Sequence, residues 1–277
     1  MTYQKYLIVA SKKDPAGVNI TTQLSQFRNP LLSSMKNSPS FDFYLREEEI
    51  VSDENINLEK INRYDFIIFA SKHQSEKKQK TLSIHAPGNW ALTQPQFGGK
   101  AGKVCPTSAT FQKQLFETLN KTAKEHFLKN YQVTLECTHH GPLINKPCVF
   151  IEIGSTEMQW KDRRAGFVIA KTIFDTIENF KENPYNEIAI GIGGPHYCPN
   201  FNKIQLNSNY AISHVIPGYV SPITEEMIKE AIEKTTEELD FIILDWKGLA
   251  NAEERQKILN ILDKLYLKYK KTSEIKK

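Results

Sequence analysis

Residues 148–180 read CVFIEIGSTEMQWKDRRAGFVIAKTIFDTIENF, and they contain the unit from which the fold can be predicted. The first six residues are apolar except for Glu152 and have the length of a buried strand. Gly154 and Ser155 follow as a turn signal, and Thr156 stands where an N-cap would start a helix over residues 157–180. Strand, turn and helix in this order are typical of α/β proteins.

The alternation of strand and helix continues on both sides of this unit. We expect strands at 6–10, 41–45, 64–70, 81–85, 132–138, 148–153, 187–192, 211–215 and 241–245. We expect helices at 18–27, 108–130 (capped by Ser108), 157–180, after the cap Thr224, and at 251–270. This order predicts one mostly parallel, mixed sheet flanked by helices on both faces. Without a linker or an internal repeat, residues 1–277 are expected to form a single domain.

Composition excludes several classes of protein. Of the 277 residues, 40% are hydrophobic and 25% are charged, which is enough to build a core and excludes global disorder. No apolar run approaches the roughly 18 residues of a membrane span. The four cysteines form no CxxC pair and are expected to be reduced thiols used in packing. No signal or transit pattern precedes the first strand, so we expect a cytoplasmic protein.

The charge is unevenly distributed, although the net charge is only +4. Residues 71–103 hold six lysines against one glutamate, and the Lys-rich C-terminal tail, residues 264–277, holds the same numbers. Two basic segments on an acidic body suggest a polyanion partner. The alternative interpretation is that both segments are simply exposed to solvent, one as a loop and the other as the end of a helix. Lysine near the C-terminus of a helix is favourable without any partner. With four glycines and three prolines, residues 71–107 are interpreted as a long, basic functional loop.

Histidines cluster where strands are expected to end. Five of the seven lie in stretches that combine histidine or glutamate with Gly or Pro, six if His73 is counted, and only His126 falls inside a helix. The stretches are residues 83–89, 136–142, 151–157, 193–197 and 214–219. Open parallel sheets bind ligands at the carboxyl ends of their strands, so this pattern indicates a site. For a single histidine such as His85 or His196, a satisfied surface residue is the alternative.

Two glutamates and a pair of histidines stand out. Glu136 and Glu152 lie in apolar strands, where a carboxylate is costly unless it is paired or bound to a metal. Each could orient a histidine, bind a metal or act as a base, or could face water. His139 and His140 would point to opposite faces of a continuous strand, but a turn after Thr138 would let them converge as a base or metal ligands. The alternative is one buried and one exposed imidazole.

Other common catalytic motifs are absent. The chain has no HExxH, Walker A, GxGxxG or GxSxG sequence, which disfavours serine hydrolases and nucleotide or NAD cofactors. Histidines and carboxylates from different strands could form a zinc site, but the sequence contains no ligand spacing that is specific for one.

Four stretches together resemble a known family. They are SIHAPGN at 83–89, TLECTHHGP at 134–142, FIEIGSTE at 150–157 with Trp160, and GGPHY at 193–197. In this combination and order they resemble the archaeal and plant type of D-aminoacyl-tRNA deacylase. The resemblance extends from Leu7 to about Asp245 and implies hydrolysis of the ester between a D-amino acid and the 3′-terminal ribose of tRNA. It also implies a sheet like that of phosphorylases or peptidyl-tRNA hydrolases.

The resemblance further implies a zinc ion and site residues. Of the positions carried over, His85, His140, Glu152 and His196 are the expected metal ligands. Glu136, His139, His140 and His196 are the expected catalytic groups. Ester hydrolysis needs an activated water and a stabilised oxyanion, and the backbone N–H groups of Gly141, Gly193 and Gly194 are candidates for the latter.

The expected partner is D-aminoacyl-tRNA, bound through its acceptor stem and 3′ end by a monomer with no nucleotide cofactor and no membrane contact. The expected phosphate contacts are Lys72, Lys77, Lys78, Lys80, Lys100 and Lys103. The rival enzymes are a peptidyl-tRNA hydrolase-like or zinc amidohydrolase-like protein, distinguished by ester against amide substrates. A non-catalytic RNA-binding module would explain the lysines but not the histidines at strand ends, and no RRM or KH signature is present.

Overall fold

A computed structural model describes residues 3–27, 39–53, 55–91, 97–182, 184–185 and 187–275. The larger of its sheets has six strands in the order β2-β1-β3-β8-β4-β7. The strands are β1 (Lys5–Ser11), β2 (Ser40–Arg46), β3 (Phe66–Gln74), β4 (Thr81–His85), β7 (Gln132–Leu135) and β8 (Cys148–Ser155). Neighbouring strands are parallel except β4 and β8, which are antiparallel. The predicted α/β class with a mixed, mostly parallel sheet is confirmed.

A second sheet has four parallel strands in the order β10-β9-β11-β12. They are β9 (Glu187–Gly193), β10 (Tyr210–Ile216), β11 (Phe241–Asp245) and β12 (Tyr269–Lys271). A two-strand antiparallel ribbon joins β5 (Gly88–Asn89) to β6 (Lys103–Val104). The expectation of one sheet was therefore wrong, because strand pairing is a long-range property that the order of elements along the chain does not determine.

Eight α-helices occur in the described residues. They are α1 (Pro15–Ser25), α2 (Leu58–Ile61), α3 (Ala109–Glu125), α4 (Glu157–Trp160), α5 (Arg163–Asn179), α6 (Pro199–Asn207), α7 (Glu225–Glu233) and α8 (Ala252–Lys264). The predicted caps Ser108 and Thr224 each accept a hydrogen bond from the first turn of α3 and α7. None of the helices in the described part of the chain has the length and apolar character needed to cross a membrane.

Three predicted elements need correction. The helix expected over 157–180 is interrupted where the extended Asp162 accepts bonds from Arg164 and Ala165 and starts α5. The last helix ends at Lys264 rather than 270, and the chain returns to add β12 to the second sheet, so part of the Lys-rich tail is a strand. The basic segment 71–107 is not one loop, because it contains the end of β3 and all of β4, β5 and β6; residues 92–96 lie outside the described residues.

One hydrophobic cluster spans both sheets. It includes Ile8 and Ile68 of the first sheet, Ile212 of the second, and Phe111 and Ile169 from α3 and α5. Helices α1, α3 and α5 contribute their apolar sides to this cluster. On the second sheet, α7 and α8 pack against the opposite face through a separate cluster.

The other face of the six-stranded sheet is covered differently, and this creates the site. Its amino-terminal half packs Ile67, Phe69 and Phe150 against α2 and nearby segments. Further along the same strands, alternation places Ser71, His73 and Glu152 on this face, beyond the apolar cover. Strands that begin in a hydrophobic core therefore end in a polar cluster.

Candidate functional site

A cavity of about 1290 Å³ opens over the polar cluster. Its lining includes His73, His139, His140, Glu152 and His196, which come from β3, β8 and the segments that follow β7 and β9. The structure thus gathers the predicted residues His139, His140, Glu152 and His196, together with His73, from four separate parts of the chain.

Glu152 is one centre of the cluster. Its Oε1 accepts a 2.6 Å hydrogen bond from Ser71 Oγ, and its carboxylate lies 3.6 Å from His73 Nδ1, 3.8 Å from His85 Nε2 and 3.9 Å from His140 Nε2. Burial alone would raise the pKa of Glu152, but the neighbouring rings of His140, His73 and His85 hold it well below its usual range. The buried carboxylate is therefore ionised.

Glu136 is the second centre, and its side chain has no exposed surface. Its carboxylate lies 3.0 Å from His196 Nε2, 3.1 Å from His73 Nδ1 and 3.4 Å from His139 Nε2. Burial would raise the pKa of Glu136, but the His196 hydrogen bond and the charge of His73 lower it. Since β7 ends at Leu135, Glu136 follows the strand instead of lying within it, which corrects the predicted strand 132–138.

His139 and His140 converge, as the prediction of a turn required. The strand ends before them, and His140 has a left-handed backbone with φ of 42°. Their ring centroids are 4.4 Å apart, and the His85 ring lies 4.1 Å from His139 and 4.7 Å from His140.

Backbone carbonyls fix the tautomer of these three rings. His85 Nδ1 faces the Ala86 carbonyl at 3.2 Å, His139 Nδ1 the Cys137 carbonyl at 2.9 Å, and His140 Nδ1 the Gly141 carbonyl at 2.7 Å. A carbonyl can only accept, so each Nδ1 carries the proton and each Nε2 keeps a lone pair. His85 Nε2 is buried without a hydrogen bond. Outer-sphere bonds of this type orient metal-binding histidines.

Within the described residues, three groups of side chains could each hold a metal ion, because the ligand atoms in each group lie within 4.8 Å of one another. They are His85 with His139 and His140, Glu136 with His139 and His196, and His73 with Glu136 and Glu152. The four predicted metal ligands are thus divided among the three groups, and the set His85, His140, Glu152 and His196 stays a prediction.

Sequence reasoning missed several contributors. His73 touches both carboxylates, and its Nε2 lies 2.8 Å from the Tyr197 hydroxyl. The Tyr219 hydroxyl lies 3.3 Å from His196 Nδ1 and 3.1 Å from Cys137 Sγ. The alternation of Ser71 and His73 along β3 was a usable signal, but the region had been interpreted as a basic loop. All four cysteines are free and buried, as expected.

Two of the three expected oxyanion donors are used by the fold. Gly141 donates its N–H to the Phe97 carbonyl at 2.9 Å, and the Gly194 N–H points to the Gly248 carbonyl at 3.4 Å. Gly193 pairs with Asp245 at the end of β9, and none of the three lines the cavity. These contacts argue against Gly141 and Gly194 as oxyanion donors, and the assignment of Gly193 stays a prediction.

The six candidate phosphate-binding lysines fall into two sets. Lys72 pairs with Glu49 at 3.0 Å and Lys103 with Glu230 at 2.7 Å. The others, Lys77, Lys78, Lys80 and Lys100, are exposed and form no ion pair within the described residues. Only Lys72 and Lys78 of the six line the cavity.

Comparisons with known proteins agree with this architecture. A family model for D-aminoacyl-tRNA deacylase matches residues 60–270. A D-aminoacyl-tRNA deacylase of Methanocaldococcus jannaschii is 33% identical over 262 residues, covering 92% of this chain and 94% of the relative. One from Methanococcus vannielii is 31% identical, with 96% and 99% covered. A crystal structure of a conserved protein of unknown function superposes with a TM-score of 0.85 at 27% identity, covering 98% of this chain and 96% of that one.

His214 lies outside the three ligand groups and generates a prediction about stability. Burial lowers its pKa to about 4, and its Nδ1 lies 3.2 Å from Thr138 Oγ1. Between pH 6.5 and 4 the unfolded chain binds a proton that the folded chain does not, so His214 destabilises the fold as pH falls. We expect His214→Asn to reduce the loss of unfolding free energy between pH 7 and pH 5 by about 2 kcal/mol.

Urea denaturation at the two pH values measures this difference. His126→Asn, which alters a histidine at the end of α3, is the matched control and should leave the loss unchanged. An equal loss in wild type and His214→Asn would contradict the assignment.

Proposed function

Because the chain belongs to the D-aminoacyl-tRNA deacylase family, we propose that the cluster around Glu136 and Glu152 is the active site at which it hydrolyses the ester linking a D-amino acid to tRNA. The products are the free D-amino acid and reusable tRNA. The observation that carries the proposal is the cluster itself: two buried carboxylates and five histidines at one end of a large cavity.

We further propose that His85, His139 and His140 hold a Zn²⁺ ion. Their proton-bearing Nδ1 atoms are fixed by backbone carbonyls, and the unbonded, buried Nε2 of His85 is the type of atom that a metal satisfies. Glu152 lies beside His85 and His140 and balances the added charge. When bound, the metal would supply Lewis acidity at the ester.

The protein's own groups handle the proton. Glu136 has no exposed surface but lies within 3.0 to 3.4 Å of ring nitrogens of His73, His139 and His196, so it can take up, through one of these rings, the proton that leaves the attacking water. His196 is one-third exposed, the most accessible of the three, and is placed to deliver a proton to the departing ribose oxygen. Tyr219 holds the other nitrogen of His196.

The tRNA reaches this site across the turn between β3 and β4. Lys77, Lys78 and Lys80 are exposed there, beside His73, and together form a basic rim. We propose that the rim binds phosphates near the 3′ end. We also propose that the protein acts as a monomer in the cytoplasm, where its substrate is.

Purified protein should cleave D-Tyr-tRNA and leave L-Tyr-tRNA intact. Glu136→Gln should lower kcat about 100-fold or more, because it removes the proton acceptor. The matched control, Glu253→Gln, changes an exposed carboxylate on α8 that does not line the cavity and should keep full activity. Full activity of Glu136→Gln would remove Glu136 from the mechanism, and cleavage of neither ester by wild type would refute the function.

Metal analysis tests the zinc proposal separately. Wild type should retain about one zinc per chain, whereas His85→Asn and His140→Asn should lose it, as measured by mass spectrometry of the dialysed protein. His126→Asn should retain it. Zinc content unchanged in both cluster variants would place the metal elsewhere.

Replacing Lys77, Lys78 and Lys80 by Ala should raise KM for D-Tyr-tRNA with little effect on kcat. The slope of log affinity against log salt should become shallower by roughly 2 to 3, since three phosphate contacts are lost. Ala at Lys171, Lys229 and Lys257 removes the same charge from α5, α7 and α8 and serves as the control. If the control triple variant changed KM and the salt slope equally, the cause would be the loss of positive charge in general and not the position of the rim lysines.

A further inference from the structure

The lining of the cavity includes two chemically different sets of residues, here called walls. The first wall contains Trp160, Lys72, Lys78 and Ser75. The second wall contains Trp90, Pro217, Val220 and Met227. The substrate has a matching division, because a polar nucleotide and an amino-acid side chain diverge from the two sides of one ester.

The first wall is tied to His73. Trp160 Nε1 donates a 3.0 Å hydrogen bond to the His73 carbonyl, which fixes the half-buried indole ring beside the cluster. Lys72 Nζ lies 5.7 Å from the ring centroid. An aromatic ring held at its edge, with a cation nearby, is a stacking platform for a nucleobase. The exposed turn that carries Lys77, Lys78 and Lys80 connects this platform to solvent. The sugar-phosphate backbone of the tRNA would leave the cavity along this turn.

Four carboxylates also line the cavity near this wall. Asp14 accepts N–H bonds from Ala16, Gly17 and Lys72. Glu49 pairs with Lys72, and Glu157 pairs with Lys161. Glu76 is an exposed residue of the turn, where Lys77, Lys78 and Lys80 outnumber it, so the turn keeps a net positive charge for a phosphate.

The second wall is tied to the other histidines. Gly88, two residues before Trp90, donates its N–H to the His140 carbonyl at 2.7 Å. Trp90 is 3% exposed, its Nε1 donates to the Val215 carbonyl at 3.2 Å, and it belongs to one apolar cluster with Met227 and Val220. The Tyr219 hydroxyl beside His196 holds the 217–222 segment over the cluster. Among the described residues that line this wall, the surface is apolar and none is a cation.

We propose that the Trp160 wall binds the 3′-terminal adenosine of tRNA and that the Trp90 wall binds the side chain of the D-amino acid. The inference rests on the proposed function, since it assumes that the ester lies at the cluster between the walls. Trp160 would contribute equally to the binding of every D-aminoacyl-tRNA, whereas Val220 would determine which amino-acid side chains are accepted.

Binding measurements test both halves without requiring hydrolysis. The probes are a CCA trinucleotide and the non-hydrolysable 3′-amide analogues of D-tyrosyl-adenosine and D-alanyl-adenosine. Trp160→Ala should weaken CCA binding about 10-fold or more, and Trp160→Phe should retain most of the affinity because it can still stack. Trp246→Ala is the matched control, since Lys271 Nζ lies 4.3 Å from the Trp246 ring centroid and that ring does not line this cavity.

Val220→Phe places a larger side chain in the apolar wall. It should reduce the binding affinity for the D-tyrosyl analogue at least 10-fold more than the affinity for the D-alanyl analogue. Trp160→Ala should weaken both analogues equally. Unchanged CCA affinity in Trp160→Ala, or an unchanged tyrosyl-to-alanyl ratio in Val220→Phe, would overturn the proposal. Wild type that binds all three probes as described but hydrolyses no D-aminoacyl-tRNA would refute the deacylase function and leave the two walls assigned.

Discussion

Two buried carboxylates, Glu136 and Glu152, impose the constraint on which the site depends. A carboxylate without water is costly unless opposite charge or hydrogen bonds surround it. Here histidines from β3, β4 and the segments after β7 and β9 supply that environment, together with Ser71. Ring nitrogens from four distant parts of the chain lie within 4 Å of the two carboxylates, so the cluster forms only where these parts meet.

The fold meets this requirement by leaving part of one sheet face without a long helix. Helices α1, α3 and α5 pack on one face of the six-stranded sheet, whereas the other face has an apolar cover only over its amino-terminal half. Strand alternation then turns Ser71, His73 and Glu152 toward the cavity. The volume above them is large enough for a nucleotide and an amino acid, which accounts for a site built on strands and lined by loops.

Local patterns in the sequence predicted most strands within one or two residues, the caps Ser108 and Thr224, and the convergence of His139 with His140. These features depend on neighbouring residues. The split between two sheets, the strand at 269–271 and the use of the Gly141 N–H by Phe97 depend on partners far along the chain, so no local pattern could show them. His73 was missed because composition, and not alternation, guided the interpretation of residues 71–107. The family resemblance predicted the activity, but which ligand atoms lie close to one another could be seen only in the folded structure.

The central claim is that backbone carbonyls orient His85, His139 and His140 so that the three rings present their Nε2 lone pairs to one zinc ion. Diffraction from crystals of the zinc-loaded protein, recorded on both sides of the zinc absorption edge, tests it most directly. The account predicts a single anomalous peak within bonding distance of the three Nε2 atoms. An anomalous peak between Glu136 and His196, or the absence of any anomalous peak in active protein, would contradict this assignment of the zinc ligands.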